Sequence, residues 1–159
     1  MSSNSEVLNW KYINFSENKY NKFDKNEILK ILSSETIDEA YNTISKWNGY
    51  SPTPLISLNK LNEKLKINKI FYKDESKRFH LKSFKALGGA YAVEKIIKGN
   101  NKKIISTATA GNHGRSVAWG SQKNGLGCKI FISEFVSESR AEVMRSFGAD
   151  VIRVKGNYE

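Results

Sequence analysis

The fold is decided by residues 103–132, which read KIISTATAGNHGRSVAWGSQKNGLGCKIFI. An apolar, β-branched run at 103–107 is followed by small and hydroxyl residues, by a segment of helical length at 113–124, and by a second apolar run at 129–132. Strands that alternate with helices of this length are typical of βαβ units, in which neighbouring strands run parallel. This stretch therefore predicts a parallel sheet with flanking helices.

The same alternation continues on both sides of this stretch. Further strands are predicted at 70–73 and 151–154, and further helices at 83–98 and 138–147. We therefore expect the α/β class, with four strands in a mostly parallel sheet that has helices on both faces.

The first 49 residues have a different character. Residues 1–26 are polar and Asn-rich with scattered aromatic side chains, which favours an extended arm, and two short helices are predicted before residue 49. Two prolines at 52 and 54 then stiffen the connection into the next unit. We therefore divide the chain into an N-terminal arm with helices, 1–49, and an α/β region, 50–159.

Composition limits the function classes. The 159 residues include 26 Lys+Arg and 16 Asp+Glu, a net charge of +10, but the basic residues are dispersed along the chain. Dispersed charge is typical of a solvated surface, so we expect no specific nucleic-acid binding. Cys128 is the single cysteine, next to an apolar run, and is predicted to be a buried core residue in a reducing, cytoplasmic setting. We expect no membrane segment and no metal site.

Lys85 is the first candidate catalytic residue. Ser83 precedes an apolar-periodic run and is a plausible N-cap, which puts Lys85 in the first turn of a helix. The positive end of the helix dipole disfavours an ammonium and so favours the neutral amine that a Schiff base requires. The glycine pair Gly88-Gly89 lies inside the same helix, where close approach to another backbone or to a flat ligand would explain it.

The turn between the predicted strand at 103–107 and the helix after it is the second candidate feature. It reads Thr109-Ala110-Gly111-Asn112-His113. Such a turn exposes backbone N–H groups at a helix N-terminus, a ready site for a carboxylate or phosphate. In open parallel sheets, ligands bind at the carboxyl ends of strands. The Asn112 amide is able to donate to a phenolate oxygen, whereas a histidine at such a position is more often structural.

Four motifs in order resemble a known family. They are Thr53-Pro54-Leu55, Tyr72-Lys73-Asp74-Glu75-Ser76, Ser83-Phe84-Lys85 and Ala110-Gly111-Asn112-His113-Gly114. Together they look like the tryptophan-synthase-β-like, or fold type II, pyridoxal-phosphate enzymes. Within that family, Leu87-Gly88-Gly89-Ala90-Tyr91-Ala92 and Val117-Ala118-Trp119 most resemble the diaminopropionate ammonia-lyases. The closer resemblance runs from about residue 50 to the last residue.

The resemblance implies a cofactor and roles for particular residues. Pyridoxal 5'-phosphate would be held by Lys85 as a Schiff base, and Lys85 would also be the base for the substrate Cα proton. Phe84 would pack near the cofactor, and Asn112 would bond its ring oxygen. The backbone of Thr109, Ala110, Gly111, Asn112 and His113 would receive the carboxylate of a small amino-acid substrate. A full-length enzyme would be a cytoplasmic homodimer.

Two departures from the family pattern affect these expectations. Diaminopropionate lyases usually carry aspartate before the Gly-Asn-His, whereas this chain has Ala110, the pattern of serine/threonine dehydratases. An alanine cannot move protons. Family members also have a glycine-rich phosphate cup and a pyridine-nitrogen partner in a C-terminal half, which we expect to be missing from this chain.

Three functions remain open from the sequence. The first is a lyase that removes a β-substituent and ammonia from a small amino acid, as diaminopropionate ammonia-lyase does in forming pyruvate and ammonia, here as a truncated copy. The second is a serine/threonine dehydratase-like ammonia-lyase. The third is an inactive α/β remnant that acts only as a binding or interaction module. Without a phosphate cup, we expect this chain alone to bind pyridoxal phosphate poorly.

Overall fold

The computed structural model describes residues 24–99, 101 and 104–156. Its regular elements are α1 Lys25–Ile31, α2 Ser34–Ile44, β1 Leu55–Ser57, α3 Asn59–Leu65, β2 Phe71–Lys73, α4 Lys85–Ile97, β3 Ile104–Ala108, α5 Asn112–Lys123, β4 Gly127–Ser133, α6 Glu138–Ser146 and β5 Ala149–Val154. A turn of 3-10 helix, Arg78–His80, precedes α4. The predicted arm lies outside the described residues except for 24–26, which begin α1, and the division at residue 49 stays a prediction.

The α/β class is confirmed, with one strand misplaced. Strands β3, β4 and β5 form a parallel sheet in that order. The strand predicted at 70–73 does not join it, because β2 pairs antiparallel with β1 in a separate two-stranded sheet, with Ile56 opposite Tyr72. The prediction of four strands in one sheet was therefore wrong. Strand β1 has three residues, too few to show a period of two, so its pairing could not be foreseen.

The parallel sheet is covered on one face in the part of the chain that the structure describes. Along β4, Cys128, Ile130 and Ile132 are buried, whereas Lys129 between them is exposed. The buried residues form one core with side chains of α4, α5 and α6. The prediction of helices on both faces is therefore wrong for the described residues. Cys128 is a core residue as predicted, and burial raises the pKa of its thiol.

Helices α4 and α5 pack so closely that two glycines are required. A Cβ added at Gly120 would lie 2.7 Å from the Cα of Ala90, and one at Gly89 would lie 2.8 Å from the Cβ of Ser116. Gly89 therefore has the close helix contact that the glycine pair predicted, whereas a Cβ at Gly88 would meet nothing within 4 Å. This packing brings the beginnings of α4 and α5 side by side. Among the described helices, none has the length and apolar character needed to cross a membrane.

Candidate active site

Lys85 is the first residue of α4, and its backbone is held on both sides. Its N–H donates to Ser83 Oγ at 3.2 Å, and its carbonyl accepts from Ser116 Oγ at 2.6 Å. Ser116 Oγ also accepts from the Ala90 N–H at 3.1 Å. The helix begins later than predicted, so Phe84 holds the cap position while Ser83 supplies the hydrogen bond. The Lys85 backbone is thus fixed to α5, while its side chain is exposed.

The segment that leads to Lys85 has an uncommon backbone. Phe79, His80 and Lys82 have positive φ angles of 45°, 60° and 55°. Residues other than glycine rarely adopt this left-handed conformation, which costs about 1–3 kcal/mol where the surroundings enforce it. Phe79 is buried against Trp47, Tyr50 and Trp119, with ring centroids 4.9–6.3 Å apart. Burial of this ring holds the segment in its unusual path.

A buried arginine ties this segment to the proline-containing connection. The Arg78 guanidinium donates to both Glu75 carboxylate oxygens, at 2.8 Å and 3.0 Å, to Thr53 Oγ1 at 3.0 Å and to the Ser51 carbonyl at 2.9 Å. The hydrogen bond from Arg78 is the main reason that the pKa of Glu75 lies below its ordinary value. The network joins the Thr53 and Glu75 motifs in space. Sequence reasoning missed Arg78, because a single arginine carries no signal of burial.

Thr109 organises the turn between β3 and α5. Its side chain is buried, and Oγ1 accepts from the N–H groups of Gly111 and Gly114, both at 3.2 Å. The Thr109 N–H donates to the Phe131 carbonyl at 3.0 Å. The amides that remain for a substrate carboxylate are therefore at most those of Ala110, Asn112 and His113. The carboxylate site itself stays a prediction.

One cleft collects three of the predicted residues. Its volume is about 460 Å³, and it is lined by Lys85, Gly111, Asn112, Arg115, Ser139, Arg140 and Val143. Lys85, Gly111 and Asn112 were predicted as site residues. Phe84, Thr109, Ala110 and His113 are not among the lining residues, and Phe84 and His113 are exposed. The roles of all seven as cofactor or substrate ligands stay predictions.

Two arginines of the cleft were not predicted. Arg115 lies one turn into α5 and donates from Nη1 to Asn112 Oδ1 at 3.3 Å. Arg140 lies on α6 and donates from Nη1 to the Ala110 carbonyl at 3.3 Å. Arg115 follows directly after the Gly-Asn-His-Gly motif, a position that marks it as a neighbour of the site. Arg140 reaches the cleft only through packing of α6 beside α5.

The donor groups at the cleft fit pyridoxal phosphate at two points. The cofactor needs an amine for its aldehyde, and the exposed Lys85 side chain lines the cleft. It also needs a donor for its ring oxygen. Because the Asn112 oxygen accepts from Arg115, the Asn112 NH₂ group is left to donate. In the part of the chain that the structure describes, no group of His, Cys, Asp and Glu side chains is able to hold a metal ion.

Comparison with known proteins agrees with this geometry. The sequence profile described as pyridoxal-phosphate dependent enzyme matches residues 46–159. The chain therefore belongs to the pyridoxal-phosphate dependent enzyme family, and the family and fold expected from the four motifs are confirmed.

Particular relatives are similar over most of this chain. The diaminopropionate ammonia-lyase of Escherichia coli K12 is 34% identical over 157 residues, covering 87% of this chain and 39% of that protein. A biosynthetic L-threonine dehydratase of Pasteurella multocida is 33% identical, covering 84% of this chain and 24% of that protein. The E. coli lyase solved with an aminoacrylate-PLP azomethine intermediate has a TM-score of 0.78 at 33% identity, covering 90% of this chain and 39% of that chain. This chain thus spans about two fifths of the lyases it resembles.

Proposed function

We propose that this chain is part of a pyridoxal-phosphate-dependent ammonia-lyase acting on a small amino acid. The observation that carries the proposal is the cleft in which Lys85, Gly111 and Asn112 meet beside the carboxyl end of β3. Similarity to diaminopropionate ammonia-lyase over 87% of the chain supports the same reaction class. In that reaction 2,3-diaminopropionate and one water give pyruvate and two ammonia.

Residues of the cleft and of the turn beside it would have different roles in this reaction. The Ala110, Asn112 and His113 amides lie at the positive end of α5, where they would hold the substrate carboxylate. The Lys85 amine would take the Cα proton, and the Asn112 amide would fix the ring oxygen of the cofactor. Bound pyridoxal phosphate supplies an electron sink for the charge left on Cα. Because Ser116 and Ser83 fix the Lys85 backbone, the amine explores only the space that its own side chain allows.

A dehydratase-like reaction on serine or threonine is the second candidate. Ala110 occupies the position before Gly111 and has no group that carries a proton. Loss of a hydroxyl group and loss of an amino group differ in the proton transfer that they require from a residue at this position. The similarity to L-threonine dehydratase supports this alternative.

Trapping at Lys85 tests the site. The chain is incubated with pyridoxal phosphate and reduced with borohydride, and pyridoxyl-lysines are located by peptide mass spectrometry. We expect Lys85 to be labelled at least about tenfold more than Lys82, an exposed lysine on the same segment, because only Lys85 faces the cleft. Reduction captures even a weakly populated adduct. Equal labelling of the two lysines contradicts the proposal.

Product formation tests the reaction. The full-length protein, loaded with pyridoxal phosphate, is assayed for ammonia with 2,3-diaminopropionate, L-serine and L-threonine, with Lys85→Ala as the control. We expect ammonia from at least one of them and none from the variant. Selective labelling of Lys85 without ammonia from any substrate would instead support a binding module.

A further inference from the structure

The charged residue types that line the cleft beside Lys85 are all basic. Its charged lining residues are Lys85, Arg115 and Arg140, and the other four are Gly111, Asn112, Ser139 and Val143. No carboxylate is among the described lining residues. Two described carboxylates, Glu138 and Glu142, adjoin this lining along the chain, and neither forms an ion pair with Arg115 or Arg140. Glu138 accepts instead from Arg145 and Arg153.

Neither arginine is neutralised by a described carboxylate. Arg115 and Arg140 form no ion pair with a described residue, and their hydrogen bonds go to an amide oxygen and a backbone carbonyl. Nε of Arg115 is buried and has no hydrogen-bond partner among the described residues. The guanidinium groups of Arg115 and Arg140 therefore have no described carboxylate within ion-pair distance, which favours an anionic ligand beside them. Arg145 on the same helix as Arg140 is paired, so the two α6 arginines differ in this respect.

This charge pattern is unfavourable to an ammonium group. A protonated 2,3-diaminopropionate would bring its β-ammonium beside the guanidinium groups of Arg115 and Arg140, since Ala110 supplies no carboxylate. A phosphate or carboxylate group would instead meet two guanidinium groups, whose planar N–H pairs match such oxygens.

Resting on the proposed function, we propose that Arg115 and Arg140 form an anion subsite that selects an amino acid with an anionic β-substituent. A phosphate ester is the simplest such group. The subsite is distinct from the backbone amides of Ala110, Asn112 and His113, which would take the α-carboxylate. The phosphate group of pyridoxal phosphate has the same chemistry as a phosphate ester. The experiment must therefore distinguish binding of the cofactor from binding of the substrate at the two arginines.

Calorimetric titration of the 159-residue chain, without cofactor and at fixed ionic strength, tests the subsite. The probes are O-phospho-L-serine, L-serine, 2,3-diaminopropionate and inorganic phosphate. We expect O-phospho-L-serine to bind at least about tenfold more tightly than either other amino acid. Arg115→Gln and Arg140→Gln should each weaken it at least about fivefold, while the matched control Arg145→Gln changes it less than about twofold.

Three results would overturn the proposal. One is 2,3-diaminopropionate binding as tightly as O-phospho-L-serine. A second is inorganic phosphate binding as tightly, which means an adventitious ion only. The third result would assign the arginines to the phosphate of the cofactor. In that case both variants would show less labelling of Lys85 by pyridoxal phosphate, but unchanged labelling by pyridoxal and unchanged binding of O-phospho-L-serine.

The two proposals fail in different ways. If Lys85 of the unaltered chain is not labelled selectively, the proposed function is wrong. The titrations with O-phospho-L-serine would still show whether the two arginines bind an anion. If Arg140→Gln fails to fold, as judged by circular dichroism, Arg140→Lys replaces it. The lysine variant retains the charge but loses the planar pair of N–H donors, so it should weaken O-phospho-L-serine binding at least about threefold, and an unchanged affinity would count against the subsite.

Discussion

The connection from residue 50 to residue 84 and the region from residue 85 to residue 154 are stabilised by different contacts. In the connection, the buried Arg78 bonds to Glu75, Thr53 and Ser51, and strands β1 and β2 are exposed. In the second region, the contacts are apolar and centre on one face of the sheet, where Ile130 and Met144 have no exposed surface. Lys85 lies at the junction of the two.

The comparison shows how a reactive lysine is positioned from two sides. Helix packing through Ser116 fixes where α4 begins. The polar network and the buried Phe79 ring fix the path of the segment before it. A substitution that disrupts either region would therefore displace Lys85 and the cleft beside it.

The largest effect is expected from Arg78→Ala in the connection. It leaves the Glu75 carboxylate, whose side chain is 15% exposed, without its main partner. Breaking a buried ion pair in this way should lower the free energy of unfolding by about 4 kcal/mol, measured by urea denaturation. The control is Lys95→Ala, which breaks the pair with Glu39 whose side chains are 44% and 43% exposed. That change should cost less than about 1 kcal/mol, and equal losses would contradict the importance of burial.

The apolar region should respond to Ile130→Ala with a loss of about 3 kcal/mol, because a fully buried side chain leaves a cavity. Ile104→Ala is the matched control on the open face of the same sheet, where the side chain is 57% exposed. We expect it to cost less than about 1 kcal/mol in the same urea experiment. A comparable cost at both positions would mean that the open face is also covered.

The contact between α4 and α5 can be tested with the two adjacent glycines. Gly89→Ala forces a Cβ against Ser116, which itself bonds the Lys85 and Ala90 backbones, and should lower stability by about 2 kcal/mol. Gly88→Ala meets open space and should raise stability by up to about 1 kcal/mol, since alanine favours a helix. Thermal unfolding followed by circular dichroism measures both. A gain from both substitutions would contradict the close packing.

The parts of the fold that sequence predicted are those with local periodic signals. Each helix and strand between residues 104 and 154 carries its own apolar pattern, and parallel pairing follows from their alternation. Lys85 and Asn112 were expected at one site, and they share the cleft, because both begin helices at the same edge of the structure.

The remaining features depend on contacts between distant segments. Burial of Arg78 needs Thr53, 25 residues away, and the cleft needs Arg140 from a helix that begins after β4. The capture of two amides by Thr109 Oγ1 depends on the fold of one turn in atomic detail. The open sheet face was also missed, because apolar runs such as 130–132 fit either one or two covered faces.

The smallest effect that separates the two regions is acid sensitivity. The hydrogen bond from Arg78 keeps the pKa of Glu75 in the folded chain below its ordinary value of 4.5. A carboxyl whose pKa is lowered by folding stabilises the folded state above its unfolded pKa, and this contribution is lost as pH falls through the folded value. The stability lost in Glu75→Gln should therefore be largest at neutral pH, and the difference in stability from the unaltered chain should narrow as pH falls below 4.5.

Urea denaturation at a series of pH values measures that gap in stability. Glu39→Gln, at an exposed pair, should show a smaller gap throughout, since solvent screens its partner Lys95. A Glu75→Gln gap that is unchanged by pH would mean that the carboxylate charge does not hold the connection in place.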